Sequence, residues 1–322
     1  MGIKKIIFFL LATVFAGGCS MFKVVEYKTE KGIALEQLGF DLDYDEETKK
    51  VKLCSSTGEL IMTLNRRISL FNGTKVWLFS PVKFDDDEIL RISESDVEKI
   101  IKPLMSKKYP LPSVVKRIIV DAGHGGEDTG AIGLKSKEKD LNLALSRKVK
   151  TALEAKGFEV IMTRDEDKFL TLDERSKFAA ENKADLFICI HHNASGSTKA
   201  ANGIESYSLS PANVNSTHDK KDTVPSGELP GNIFDEANIN LSYYIQSCVI
   251  NNTAANDRGM KFARFKVLVN APCPAILFEA GFISNPSEEI AINSSERQDK
   301  TAKAIAEAVE KFSENANKNL QK

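Results

Sequence analysis

"IIVDAGHGGEDTG", residues 118–130, decides how the rest of the chain is read. The run RIIVD (117–121) is short and apolar without alternation, the pattern of a strand buried on both faces. It ends in an acid, and then His124 arrives between Gly123 and the pair Gly125–Gly126. A histidine packed in a core needs no glycines around it. A histidine presented by a tight turn does, because glycine lets the backbone turn sharply and keeps bulk away from whatever the imidazole meets.

Outward from this stretch the periodicity alternates. DLNLALSRKVKTALEAKG (140–157) places Leu141, Leu145, Val149, Ala152 and Leu153 on one helical face, with Gly157 as the stop. Strand FEVIMT follows, then a helix opened by the capping box Thr171–Glu174, then strand DLFICI. This is β-α-β-α-β, so the three strands should be parallel, with right-handed crossovers. Strand GIESYSL, a helix around 236–253, strands near 265–269 and 274–278, and a terminal helix complete the pattern. The terminal helix carries Ala302, Ile305, Ala306, Val309 and Phe312 as its apolar stripe. The polar stretch from Ser210 to Phe234 reads as a long loop, of a length that is often functional or mobile. The expected fold is α/β: a mostly parallel sheet flanked by helices on both faces, over residues 114–315.

In an open α/β sheet, ligands bind outside the carboxyl ends of the strands. His124 follows the first strand, His191 follows LFICI, and Glu279 follows CPAILF. Glu138, in KSKEKD, is expected in the loop before the first helix, at the same edge. The chain has four histidines, and two of them land there. Two imidazoles and one carboxylate, with a further position open to water, describe a catalytic zinc site. Such a site also needs a carboxylate that is not a ligand, to move the proton of the attacking water. Spacing alone leaves open which of Glu138 and Glu279 binds the metal.

IIVDAGHGGEDTGAIG, KEKDLN, FICIHHNAS, GIESY and FEAGFISNPSEE occur in that order. Together they resemble the zinc-dependent N-acetylmuramoyl-L-alanine amidases of the amidase-3 type, which trim bacterial peptidoglycan. The resemblance runs from 117 to 315. It implies one zinc per chain on His124, Glu138 and His191, with Glu279 as the catalytic glutamate. It implies hydrolysis of the amide between the lactyl group of N-acetylmuramic acid and the L-alanine of the stem peptide. Arg258 and Asn193 are candidate contacts to that peptide, and Glu205 is a candidate neighbour of the site. His192 stands where the family usually has a small residue, which makes it a rival ligand. Peptidoglycan is then the partner, with room for a protein activator, and a monomer is expected. Some relatives carry a helix that plugs the zinc site. The loop 210–235, with its prolines, does not read as one.

Three other readings stand beside this one. Cys189 and His191, two apart on one strand face, could suggest a Cys–His hydrolase, but reactive thiols sit in polar, partly exposed places. An amidase-like fold could hold the cell wall without cutting it, or a zinc hydrolase could cut a different wall bond. His218, in the polar loop, reads as a solvated side chain, and Cys189 and Cys273 as buried free thiols.

Upstream the composition changes. Residues 34–112 read as a small β-rich accessory domain, with strand-like KVKLC, ELIMTL and KVWLF separated by Thr57–Gly58 and Asn72–Gly73. SESDVEKIIKPLM then reads as a helix capped by Ser93 or Ser95, and YPLPS (109–113) marks the boundary. At the N-terminus Lys4 and Lys5 precede the apolar run Ile6 to Phe15, which is too short to span a bilayer. Small residues and Cys19 follow, so 1–18 reads as an export signal. AGGCS resembles a lipoprotein box, with the lipid on Cys19 and a tether over 19–33. The protein is thus expected to be membrane-anchored, facing the periplasm or cell wall. Net charge is −1, from 44 basic and 45 acidic residues with no basic stripe, which argues against nucleic acid as a partner.

Overall fold

The computed structural model describes residues 40–84, 90–106, 109, 111, 114–196, 198–219 and 227–320, with side chains described to 316. The export signal, Cys19 and the tether lie outside the described residues.

The chain first forms an antiparallel meander: β1 (Asp41–Asp45), β2 (Lys50–Ser55), β3 (Gly58–Thr63), β4 (Ile68–Phe71) and β5 (Thr74–Trp77). Alternation buries Val51, Leu53, Leu60, Met62, Phe71 and Val76 on one side. A two-stranded ribbon, β6 (Lys83–Phe84) and β7 (Leu90–Arg91), leads to a helical segment. That segment runs through α1 (Glu94–Asp96), a π-wound turn (Val97–Ile101) and α2 (Lys102–Ser106). Ser93 caps it by accepting from the Asp96 N–H.

From Arg117 strands and helices alternate: β8 (Arg117–Ala122), α3 (Glu138–Glu154), β9 (Glu159–Met162), α4 (Leu172–Glu181), β10 (Leu186–Asn193) and β11 (Ile204–Leu209). Then come α5 (Asp235–Thr253), β12 (Asp257–Ala263), α6 (Lys266–Val269), β13 (Ala275–Phe282), α7 (Pro286–Asn293) and α8 (Ser295–Leu320). One sheet of 11 strands results, in the order β9-β8-β10-β13-β11-β12-β5-β4-β3-β2-β1. Between β9 and β5 every pair is parallel except β11–β13. The fold is the mostly parallel, helix-flanked α/β sheet that the periodicity predicts. The predicted stripe of α8 (Ala302, Ile305, Ala306, Val309 and Phe312) packs with Leu145 and Val149 of α3 and Leu241 and Ile245 of α5 on one face. Ala179 of α4 and Val267 and Leu268 of α6 pack on the other. The meander shares a third cluster with Ile239 of α5 and Met260 and Phe262 of β12.

Two local expectations are corrected. Residues 265–269 are not a strand: the strand is β12, and the β-branched KVLV forms α6. Burial of Val267 and Leu268 beside Tyr207 and Leu209 outweighs their local preference for extended chain. Glu138 is not in a loop but is the first residue of α3, because its N–H bonds to Ala131 O at 2.9 Å and draws the 131–137 loop into a closed hairpin. Among the described residues of the 210–235 loop there is a short 3-10 turn, Pro230–Phe234, and no longer helix.

Candidate metal centre and active site

β8 ends in the glycine-rich turn. The Gly123 N–H donates to Ile190 O at 3.1 Å, so pairing with β10 runs one residue past the strand. His124 then takes φ 59°, a left-handed conformation that few side chains adopt. Two buried arginines hold the turn's carbonyls. Arg164 donates to Ala122 O (2.9 Å) and Gly123 O (2.8 Å), and Arg175 to Ala122 O (2.8 Å) and His124 O (2.9 Å). Asp121 at the end of β8 neutralises Arg175 at 2.7 Å. Gly123 is needed for close approach: a Cβ there would lie 2.2 Å from His191 Nε2, well inside van der Waals contact.

The two imidazoles and Glu138 converge. His124 Nε2 lies 3.1 Å and His191 Nδ1 2.8 Å from the same oxygen, Glu138 Oε1. One donor atom from each of the three residues lies within 4.8 Å of the others. Asp128 Oδ2, 2.7 Å from His124 Nδ1, fixes the tautomer that turns the Nε2 lone pair inward. Burial opposes the charge on Glu138, but the hydrogen bonds and charges of His124 and His191 outweigh it and hold the carboxyl far below its usual range. Two nitrogens and a carboxylate oxygen meeting at one point, with an outer carboxylate orienting one ring, fit the ligand set of catalytic zinc.

Sheet register sets a row beside this centre. His191 of β10 stands opposite Glu279 of β13, and Glu279 stands opposite Glu205 of β11. Glu205 is fully partnered. Its Oε1 accepts from Lys261 Nζ (2.6 Å) and Arg258 Nε (2.5 Å), and its Oε2 from the Tyr207 hydroxyl (2.7 Å) and Asn193 Nδ2 (3.0 Å). Burial again opposes its charge, but the charge and hydrogen bond of Lys261 together with the hydrogen bonds from Arg258 and Tyr207 outweigh it and hold the carboxyl below its usual range, so Glu205 is ionised. Glu279 differs. It is buried, and its Oε2 has no hydrogen-bond partner among the described residues. Burial first, then the charges of Glu138 and Glu205, push its carboxyl well up, against the pull of Lys261. A carboxyl with raised proton affinity beside a metal-type cluster is suited to hold and release a proton.

A family model described as N-acetylmuramoyl-L-alanine amidase matches residues 118–311. The chain belongs to this amidase family. It is a hydrolase that acts on the bond between N-acetylmuramic acid and L-alanine in peptidoglycan. It is 36% identical over 197 residues to the uncharacterised protein YqiI of Bacillus subtilis, covering 61% of this chain and 84% of YqiI. It is 35% identical over 195 residues to the amidase LytC of the same organism, covering 60% of this chain but only 35% of LytC. The catalytic domain of the amidase CwlV from Bacillus (Paenibacillus) polymyxa var. colistinus superposes with a TM-score of 0.51 at 31% identity, covering 62% of this chain and 98% of that domain.

The remaining sequence candidates of the amidase fall into place around the row. His192 points to the opposite face, as alternation requires, and its Nδ1 pairs with Asn142 Oδ1 at 2.8 Å. Burial lowers its pKa to about 4. It stands outside the metal cluster but supports it, since its backbone N–H and Asn142 Nδ2 both reach toward Glu138 Oε1 (3.3 and 3.4 Å). Cys189 donates to Asp121 in the core, and burial pushes its thiol up, which removes it as a nucleophile. His218 is exposed and packs edge-on to Trp77. Sequence reading missed Asp128, Asn142, Lys261 and the two arginines of the turn. Asp128 sits at i+4 from His124, a spacing that could have flagged it. Lys261 carries no local signal, because alternation in β12 reads it as a solvent-facing lysine.

Proposed function

We propose that this amidase cleaves the lactyl–L-alanine amide with one zinc ion per chain, held by His124, Glu138 and His191, and with Glu279 carrying the proton. The observation that carries this reading is the register that sets Glu279, whose Oε2 has no partner among the described residues, directly opposite His191. When bound, zinc supplies Lewis acidity, polarising an amide carbonyl and bringing the pKa of water toward neutrality. The chain's own residues supply the rest. His124 is locked in one tautomer by Asp128, and Gly123 leaves room for His191. Ionised Glu279 takes the proton of the attacking water. Protonated Glu279 then delivers it to the leaving nitrogen, so that L-alanine departs as an amine. Glu205, held ionised by Lys261, keeps that proton affinity high.

Arg258 supports recognition of an acidic stem peptide. Its guanidinium lies 4.7 Å above the Phe282 ring, anchored by Nε on Glu205, with its side chain one-third exposed (33%). Asn193 donates to Glu205, and its Oδ1 accepts from the Ala194 N–H at 2.7 Å, so we assign it to holding Glu205. Among the described residues no helix is long and apolar enough to cross a membrane. The Lys4–Cys19 sequence supports export and a lipid anchor at Cys19, which would place the site in the periplasm or cell wall.

The test is product analysis by mass spectrometry. Soluble protein, residues 20–322 and zinc-loaded, is incubated with purified peptidoglycan. Free stem peptides beginning at L-alanine, absent with chelator, are expected. Fragments cut elsewhere would change the bond assigned. No release from folded, zinc-bound protein would point to a missing activator or to a wall-binding role.

A further inference from the structure

The family match begins at residue 118, so the meander β1–β5 lies outside it. Yet β5 pairs in parallel with β12, Val76 opposite Met260, and so joins the same sheet. The contact is built from both sides. Gly259 has φ 90°, and a Cβ there would lie 3.0 Å from both Lys75 Cβ and Lys75 O. The Lys75 N–H donates to Asp257 Oδ2 (2.7 Å), and Lys75 Nζ donates to Asp257 O (2.8 Å). Trp77 Nε1 donates to Arg258 O at 3.0 Å. The Trp77 ring stands 5.5 Å from Lys261 Nζ, a cation–π distance. Every one of these contacts falls on Asp257–Lys261, the segment that delivers Arg258 and Lys261 to Glu205, beside Glu279.

We propose that the meander is a working part of the amidase site. Through Trp77 and Lys75 it fixes Asp257–Gly259 at the start of β12, so that the partly exposed Arg258 guanidinium is held beside Glu205 and binds a carboxylate of the stem peptide. Trp77 is then a positioning residue that acts through Arg258. This rests on the reading of Arg258 as a peptide-binding cation, and the test separates the two.

The experiment is a double-mutant cycle on the zinc-loaded protein, residues 20–322, with a soluble muramoyl peptide as substrate. Arg258→Gln is expected to raise KM about tenfold with kcat within about twofold, the size of one charge-assisted contact. Trp77→Leu is expected to raise KM about three- to fivefold, and to add nothing in the Arg258→Gln background. Trp77→Phe keeps the ring but lacks the indole N–H, and is expected to shift KM the same way by less. It also covers the case in which the leucine variant fails to fold. Amidating the peptide's carboxylates should abolish all of these differences. Trp77 is the single tryptophan of the chain, so its emission should shift when the peptide binds unmodified protein. Were Arg258→Gln to leave KM unchanged, the reading of Arg258 would fall. Were Arg258→Gln to raise KM while the Trp77 effects were absent or additive, the reading of Arg258 would stand and the role of the meander would be refuted.

Discussion

Gly123→Ala isolates the metal centre from the fold. Gly123 is not among the residues with positive φ, so alanine meets no backbone strain there. The cost is local: the new Cβ would lie 2.2 Å from His191 Nε2, 2.3 Å from Cε1 and 2.7 Å from Cδ2. That is about 1.2 Å short of ordinary contact at the closest atom, so the imidazole must move by about that much. Zinc–nitrogen distances tolerate only about 0.2 Å. The ring therefore leaves ligand position, and zinc affinity should fall about 100-fold, or about 3 kcal/mol. Strain in the metal-free protein should stay near 1–3 kcal/mol, the usual cost of overpacking, so it still folds. The assay is zinc competition against a chromophoric chelator, with circular dichroism of the metal-free protein as the folding check. Gly196→Ala is the control, because nothing lies within 4 Å of its Cβ position. If Gly123→Ala folds and binds zinc within about threefold of the unmodified chain, the assignment of His191 as a tightly seated ligand is wrong.

Glu279→Gln should retain one zinc per chain by metal analysis and lose about 100- to 10,000-fold in turnover, because glutamine cannot carry the proton. His191→Ala should lose the metal. His192→Ala should keep it while costing about 1–3 kcal/mol in denaturant titration, since Asn142 loses its buried partner. Asp96 of α1 gives a pH test of how the helical segment is tied to the chain just after the meander. It is buried and accepts from the Phe79 and Ser80 N–H groups at 2.6 and 3.1 Å, and burial raises its pKa from 3.8 to about 6. The folded state thus binds its proton more tightly than the unfolded state. Stability should fall as pH rises from about 4 to 6, by about 3 kcal/mol, and then level off. The slope should vanish in Asp96→Asn, and equal slopes in both proteins would remove Asp96 as its source.

The β8-to-β10 half of the sheet was legible because each element carries its own signal: an unbroken apolar run, a helical stripe, or the Thr171–Glu174 capping box, which forms as read. The convergence of His124, Glu138 and His191 was legible for a related reason. Strand ends share one edge in a parallel sheet, so residues just past each strand meet whatever their distance in sequence. What could not be read depends on partners remote in sequence. KVLV becomes α6 because Tyr207 and Leu209 offer it a buried surface. Lys261 becomes a core residue because Glu205 stands 2.6 Å away. The union of meander and sheet hangs on Gly259, which by sequence is one glycine in DRGMK and by structure is the point where Lys75 touches β12.

Three glutamates share this sheet edge, and their surroundings divide the work among them. Glu138 faces two imidazoles, and its charge is claimed by them. Glu205 faces Lys261 and Arg258, and its charge is claimed there. Glu279 lies between them with Oε2 unpartnered, where each neighbour's charge makes its own ionisation harder. One residue type is thus suited to three roles in the proposed mechanism, a ligand, a fixed counter-charge and a proton carrier, by partner rather than by chemistry. Neutralising Glu205 would therefore ease ionisation of Glu279 and weaken it as the acid toward the leaving nitrogen. That is why Lys261, 2.6 Å from Glu205, belongs to the catalytic argument and not only to the fold.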